Sequence, residues 1–590
     1  MVRLSHKILI VSSSLFLILI VQLWLLNIHY PFIGADMEYY SSRLIDAFLH
    51  IKNEGLFTVQ WWTPSFGGGI PAFPNPLHLQ FSVTPYLMFF FTPWVSTQIT
   101  YVLMLIIGYV LVFNYVHNHL KFGFYSSLCS AVVFSTNGYF INHSLVGHLN
   151  YSSFVLIAIV PYIISSNWSE KKCIVFFSIF MVYLLYSAGF PSIFLIYLSF
   201  AQLVFFLPII TKKSICYKKI LRIFLLSHLI IIGIGFSKFT AVLLHMDVFP
   251  RFQDFFSWQP YFIAFPFSTI AQLFSWRILI PFESILPVPA DSVLFWIVGS
   301  RYEFWENDVS LSPVVPITLV IFFIVNKMKL SQFISKPKNR LYLLALIAIF
   351  WISIEMSIGK GPTWSLIKEL PIVKSTHVNV RYTGAMTLFA TLLFSFCYTS
   401  LIKKKSLIFK KSVTSLIIFI SFISMSSYYF ISIQKKAYSA YNITNEIIVW
   451  EKMKTEHKMS SINQLININS KEQVNVFNKN ASSLSPNDPL YGYHGEFFRS
   501  SLNTGSIRKI DQNGYFNFHN PMTFYNPKNN SGKRDKIHSS DINNFELFIN
   551  RKQPHWELPF IQKFANWITI ISILILFLYL IKIFFQKLKT

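Results

Sequence analysis

The chain has 590 residues, of which 53% are hydrophobic and only 13% charged, and its mean hydropathy is +0.48. A soluble fold carries about a quarter charged residues, so the composition excludes a wholly soluble protein. The net charge of +25 would suit a nucleic-acid binder, but most of it lies in short loops between apolar runs, where it sets membrane orientation instead.

The first apolar run, 8–28, is long enough to span and is followed by no small-residue cleavage site, so it reads as a retained signal anchor. Further spans are predicted at 96–116, 124–142, 151–166, 173–188, 191–210, 221–244, 311–326, 341–357, 382–402, 412–431 and 565–585, twelve in all. The run 81–93 is broken by Pro85 and Pro93 and reads as a re-entrant or interfacial segment. Twelve spans put both termini on one side. The segments of that side carry 23 Lys and Arg, from Arg3 and Lys7 through Lys403, Lys404 and Lys405 to Lys589, against the single acid Glu170. The positive-inside rule makes that side cytoplasmic.

Four larger segments face the opposite side: 29–95, 245–310, 358–381 and 432–564. The last is rich in Asn and Ser, with turn signals at Ser485-Pro486-Asn487-Asp488-Pro489 and Asn529-Asn530-Ser531-Gly532. The aromatic run Gly514-Tyr515-Phe516-Asn517-Phe518 suggests a strand. The predicted fold is therefore an all-α polytopic membrane domain (1–431), a small extracytoplasmic α+β or mostly β domain (432–564), and a last span with a cytoplasmic tail (565–590). Spans at 412–431 and 565–585 tether the soluble domain at both ends, which predicts that it roofs the outer face. Its segment Tyr491-Gly492-Tyr493-His494-Gly495-Glu496 suits stacking on sugars as well as ordinary β packing. Cys129, Cys173, Cys216 and Cys397 lie in or beside apolar spans, with no zinc or disulfide spacing. The chain has no P-loop and no dinucleotide fingerprint.

The segment 29–95 holds the strongest candidates for chemistry. Asp36 follows the first span by a few residues, which puts a carboxylate at the membrane surface. Partial desolvation there would raise its pKa toward the range of a general base; a helix N-cap is the competing reading. Glu38 would project from a different helical face, and Arg43 from the same face as Asp36. Gly67-Gly68-Gly69 reads by itself as a flexible turn. His143, His148 and Arg381 sit at predicted outer ends of spans, and each has a plain structural alternative, an interfacial Arg381 included.

Asp36, then Trp62, Pro64, Gly69, Pro71 and Asn75, resembles the YfhO-type family of bacterial membrane proteins, within the wider GT-C superfamily of glycosyltransferases. Gly147-His148, the stretch Asn379-Val380-Arg381-Tyr382 and Trp305-Glu306-Asn307-Asp308 resemble further motifs of that family, over roughly 8–402. Gly189-Phe190-Pro191-Ser192 stands where relatives often have Gly-His-Pro-Gln, and Ser-Leu-Ser replaces a Tyr-Ile-Gly near Glu306. The resemblance implies a GT-C-like fold in a bacterial cytoplasmic membrane. It implies sugar transfer from a polyprenyl-phosphate carrier to an extracytoplasmic glycan or glycolipid acceptor, with no nucleic acid as partner. Asp36 would be the catalytic base with Glu38 beside it; Arg381, His148, His143, Trp62, Asn75 and Glu306 would bind substrate. No cofactor is implied, although Asp36, Glu38 and His148 could meet around a divalent ion. The alternatives are a polysaccharide polymerase or flippase, for which Lys238 and Glu355 are the main intramembrane ionisable residues, and a non-catalytic assembly protein.

Overall fold

The computed structural model describes residues 4–165, 168–211, 216–246, 311–326, 337–359, 361–370, 373, 379–428, 440–456, 461–488, 491, 502–524, 526–529 and 535–588. Within them, eight helices are long and apolar enough to cross a membrane: Ser5–Asn27, Pro93–His119, Phe190–Thr211, Tyr217–His245, Arg340–Ser357, Arg381–Ile402, Leu407–Ser426 and Phe560–Lys582. Large apolar side chains such as Leu225, Leu229, Leu344, Ile571 and Phe577 stand exposed along them. A helix apolar on its outer face belongs in lipid.

The other four predicted spans are helical but shorter or interrupted, and local chemistry explains one of them. The run 124–142 is two helices, Phe124–Ser135 and Gly138–Val146, because the Asn137 side chain accepts from Phe140 N at 2.9 Å and starts the second. The run 151–166 opens as a 3-10 helix, Leu149–Ile159, before the helix Val160–Ser165. Helices Glu170–Tyr186 and Val314–Val325 are regular. The run 81–93 contains only the short helix Val83–Leu87.

Helix Tyr217–Met246 packs between Glu170–Tyr186 and Phe560–Leu588; Ile193–Thr211 packs on Pro337–Ile358, and Met386–Ile402 on Phe124–Ser135. Small polar side chains join the helices: Gln22 donates to Ser144 at 2.6 Å, Thr84 meets Thr100 at 2.9 Å, and Tyr398 meets Thr414 at 2.9 Å. Such groups replace the hydrophobic effect as glue where lipid surrounds the bundle.

The bundle has two unlike poles. At one, Lys7 lies over Phe124, Lys172 lies over Trp168, Lys219 donates to the Trp168 carbonyl, and Arg222 pairs with Glu170 at 3.3 Å. The other pole carries the ends of helices Leu4–Asn27 and Gly138–Val146 and the start of Met37–Glu54. There the segment 440–559 closes over 29–95. Strand Phe32–Gly34 pairs antiparallel with Ala440–Asn442, in the register Ile33 to Tyr441. Gly68 N donates to Ser483 O, and His519 N donates to Gly68 O, so the glycine run is a seat for the C-terminal segment. Strands Gln464–Ile466, Ala481–Ser483 and Gly505–Ser506 form one small sheet, and Tyr515–His519 pairs with Lys536–His538. Helices Thr444–Thr455 and Ile542–Ile549 flank them. Phe516, Phe518, Phe545 and Phe548 build their core, and Trp62 from the early segment completes it.

Candidate functional site

The site begins with a close crossing of two backbones. Gly147 ends helix Gly138–Val146 in the left-handed region, φ +94°, as a helix-terminating glycine does. His148 N then reaches back to His143 O at 2.8 Å. On this turn rests the chain around Gly34–Asp36, with Asp36 N donating to Val146 O at 3.1 Å. A Cβ on Gly34 would stand 2.2 Å from Leu145 O, and one on Gly147 would stand 2.6 Å from Met37 N. Only glycines permit this approach, and it delivers His148 to Asp36.

Asp36 precedes helix Met37–Glu54 but makes no side-chain capping bond. Its Oδ2 meets His148 Nε2 in a short contact, and His148 Nδ1 meets His143 Nδ1 at 2.7 Å. His143 lies flat on Tyr151, ring centroids 4.3 Å apart at 14°, and Tyr139 stands edge-on to it at 4.5 Å. Arg381 donates to the Tyr151 hydroxyl at 3.2 Å, with its guanidinium 5.2 Å from the ring centre. The histidine side chains are buried, and His148 is 7% exposed against 45% for Asp36. The chain of bonds therefore has its wet end at the carboxylate, whose Oδ1 accepts no hydrogen bond among the described residues.

Desolvation raises the Asp36 pKa, but the charges of His148 and Arg381 and the bond from His148 outweigh it, and the carboxyl titrates below its ordinary range. The sequence suggested a raised pKa; the partners it could not place reverse the sign. An ionised Asp36 makes His148 the donor through Nε2. The arrangement holds a carboxylate in its basic form and aims its free oxygen outward.

The structure thus brings together Asp36, His148, His143 and, through Tyr151, Arg381. Glu38 sits half-buried in the first turn of the helix, and His148 meets Asp36 rather than Glu38. Trp62 is buried against Phe548, centroids 4.2 Å apart, and Trp556. Asn75 donates to Asp488 Oδ2 at 2.8 Å, and Tyr39 donates to the same atom at 3.0 Å. Arg43, on the Asp36 helix, turns to Asp488 at 3.7 Å and Pro486 O at 2.7 Å, with Phe66 under its guanidinium. Asp488 was absent from the sequence candidates; its only signal was a turn motif. Glu306 lies outside the described residues, as do residues 492–496.

The two intramembrane ionisable residues are engaged by backbone. Lys238 donates to Phe73 O and, at 2.8 Å, to Asn75 O. Glu355 accepts from Thr363 N at 2.8 Å, Trp364 N at 3.1 Å and Trp351 Nε1 at 2.6 Å, which caps the following helix Pro362–Lys368. Among the described residues, no group of three or more His, Cys, Asp or Glu is placed to hold a metal ion. The sequence matches no protein-family model and no curated protein.

Proposed function

We propose that the chain is a membrane glycosyltransferase that moves a sugar from a polyprenyl-phosphate carrier to an acceptor hydroxyl outside a bacterial cytoplasmic membrane. The observation that carries the reading is the half-exposed Asp36 carboxylate, held ionised by buried His148 and by Arg381 at one pole of an apolar bundle. In this reading Asp36 Oδ1 takes the proton of the acceptor hydroxyl as its oxygen bonds to the anomeric carbon. The bond from that carbon to the phosphate oxygen breaks, and the polyprenyl phosphate leaves with the electron pair. Arg381 meets the charge that develops on the phosphate. The imidazole chain behind Asp36 fixes the carboxylate's orientation.

The same reading makes the cation-rich pole cytoplasmic, counts twelve spans and places both termini inside. Segment 440–559 then lies outside, over the Asp36 pole, where an acceptor glycan would arrive. The engagement of Lys238 and Glu355 with backbone groups weighs against a flippase path lined by them.

The test is sugar transfer from a polyprenyl-phosphate donor by protein in lipid vesicles. Asp36→Asn keeps size and removes basicity, and transfer should fall about 10²- to 10⁴-fold, with Glu38→Gln costing less. Transfer by a folded Asp36→Asn protein at the parent rate refutes the assignment.

A further inference from the structure

Helix Met37–Glu54 is pinned along one side by polar bonds. Asp46, buried, accepts from Gln60 Nε2 at 2.7 Å and Ser65 Oγ at 2.5 Å, and the same Ser65 oxygen accepts from Arg551 Nη1 at 2.7 Å. The helix then ends at Gly55, φ +103°, whose N donates to Ile51 O at 3.0 Å. Thr58 closes the turn that follows: its hydroxyl donates to Glu54 O at 2.6 Å, and its carbonyl accepts from Gln80 Nε2 and lies 2.9 Å from His50 Nε2. This fixed turn presents Leu56 and Phe57. Phe57 is 87% exposed, the most of any large apolar side chain among the described residues.

The surroundings of the turn are apolar as well. Tyr86 donates to Leu56 O at 3.2 Å, which ties the turn to the segment that ends in the exposed Phe90 and Phe91. Those two lead directly into the spanning helix Pro93–His119, along which Val95, Leu103 and Ile107 stand exposed. Exposed apolar side chains therefore continue from the span to Phe91 and Phe90 and, across the Tyr86–Leu56 bond, to Phe57. No Asp, Glu, Lys or Arg occurs between Glu54 and Lys121, although the span accounts for only part of that stretch. The cation nearest the turn in sequence before it, Lys52, is held by Met453 O and, at 2.9 Å, by Glu456 O.

We infer that the turn at Leu56 and Phe57 inserts into the leaflet at the Asp36 pole, beside Phe90 and Phe91, with lipid acyl chains as its partner. Aromatic rings favour this level of a bilayer, and shallow burial of an apolar edge is how an interfacial helix is anchored. Helix Met37–Glu54 is then fixed at its start by the crossing at Gly147 and at its end by lipid. The inference does not rest on sugar transfer.

The test places a nitrobenzoxadiazole fluorophore on full-length protein in phosphatidylcholine nanodiscs, where both faces meet solvent. Cys216→Ser leaves only buried native thiols, and the label enters through Phe57→Cys, through Leu56→Cys, which keeps Phe57, or through Asn513→Cys on an exposed polar turn of the C-terminal segment. Phosphatidylcholine with a nitroxide near the top of its acyl chain should quench the labels at positions 56 and 57 severalfold more than the label at 513. Iodide in solution should rank them in reverse. Adding Phe57→Glu to the Leu56→Cys protein should lower its quenching by nitroxide lipid severalfold. The inference is overturned if iodide quenches positions 56 and 57 as strongly as 513 while nitroxide lipid leaves them unchanged, which means water covers the turn. Protection of both positions from both quenchers overturns it too, since protein, such as a second copy of the chain, then covers them. Nitroxide quenching that Phe57→Glu leaves unchanged removes Phe57 as the anchor.

Discussion

Replacing Gly147 with Ala probes the crossing on which the Asp36–His148 contact rests. Gly147 has φ +94°, and the left-handed conformation costs an L-residue about 1–2 kcal/mol. The new Cβ would stand 2.6 Å from Met37 N and 2.8 Å from Met37 Cβ. These atoms begin the helix that follows Asp36 and cannot rotate aside. Overpacking of this kind adds about 1–3 kcal/mol, for a total of about 2–5 kcal/mol. Gly123→Ala is a control for backbone strain without crowding. Its φ of +88° and ψ of 166° lie in a region nearly confined to glycine, which costs about 1–3 kcal/mol, and its Cβ would meet nothing within 4 Å. Urea unfolding of the detergent-solubilised protein, followed by tryptophan fluorescence, gives both values. Gly147→Ala should cost about 2–5 kcal/mol, and only it should also lose sugar transfer. A Gly147→Ala cost no greater than about 1 kcal/mol, with transfer retained, would refute the close crossing.

Lys238→Met leaves the Phe73 and Asn75 carbonyls without their donor, at about 1–3 kcal/mol for each buried acceptor; limited proteolysis should then cut near residues 73–80 faster than in the parent, and unchanged cleavage would show that other contacts hold the loop. Glu446 is 1% exposed, neither carboxylate oxygen has a partner among the described residues, and burial raises its pKa from 4.5 to about 8. The folded protein therefore keeps a proton that the unfolded chain releases, so this residue's contribution to stability falls as pH rises from 4.5 to about 8. Glu446→Gln should match the parent in unfolding experiments near pH 4 and exceed it above pH 8 by on the order of 5 kcal/mol, at about 1.4 kcal/mol per pH unit of displacement; parallel pH profiles would contradict this.

The apolar runs located the helices because lipid exposure demands unbroken hydrophobicity, a property of each segment alone. What interrupts a run was harder to read. The Thr136-Asn137 break is one capping side chain inside an otherwise apolar stretch, and hydropathy does not register it. Asp36 was legible from its position after the first span, as was His148 beside its glycine. The sign of the Asp36 pKa shift was not, because it depends on groups brought in by packing. Trp62 and Asn75 stood out as sequence motifs, and the structure seats them in packing and in a bond to Asp488. Asp488 stood only in a turn motif and Arg551 carried no local signal: their partners are separated from them in sequence by 413 and 486 residues, respectively.

That separation has a consequence for how the protein is made. Gly67 N meets Ser483 Oγ across 416 residues of chain, and strand Phe32–Gly34 has its partner at Ala440–Asn442. At about 5–20 residues per second, a ribosome needs about 20–80 s to close that interval. Throughout it, the segment 29–95 stands with an unpaired strand edge and with Asp46 awaiting Arg551. A nascent chain stalled before residue 440 thus leaves this pole half-built, with a strand edge that invites pairing with a neighbour. A stretch synthesised late is what covers the strand edge of one synthesised early.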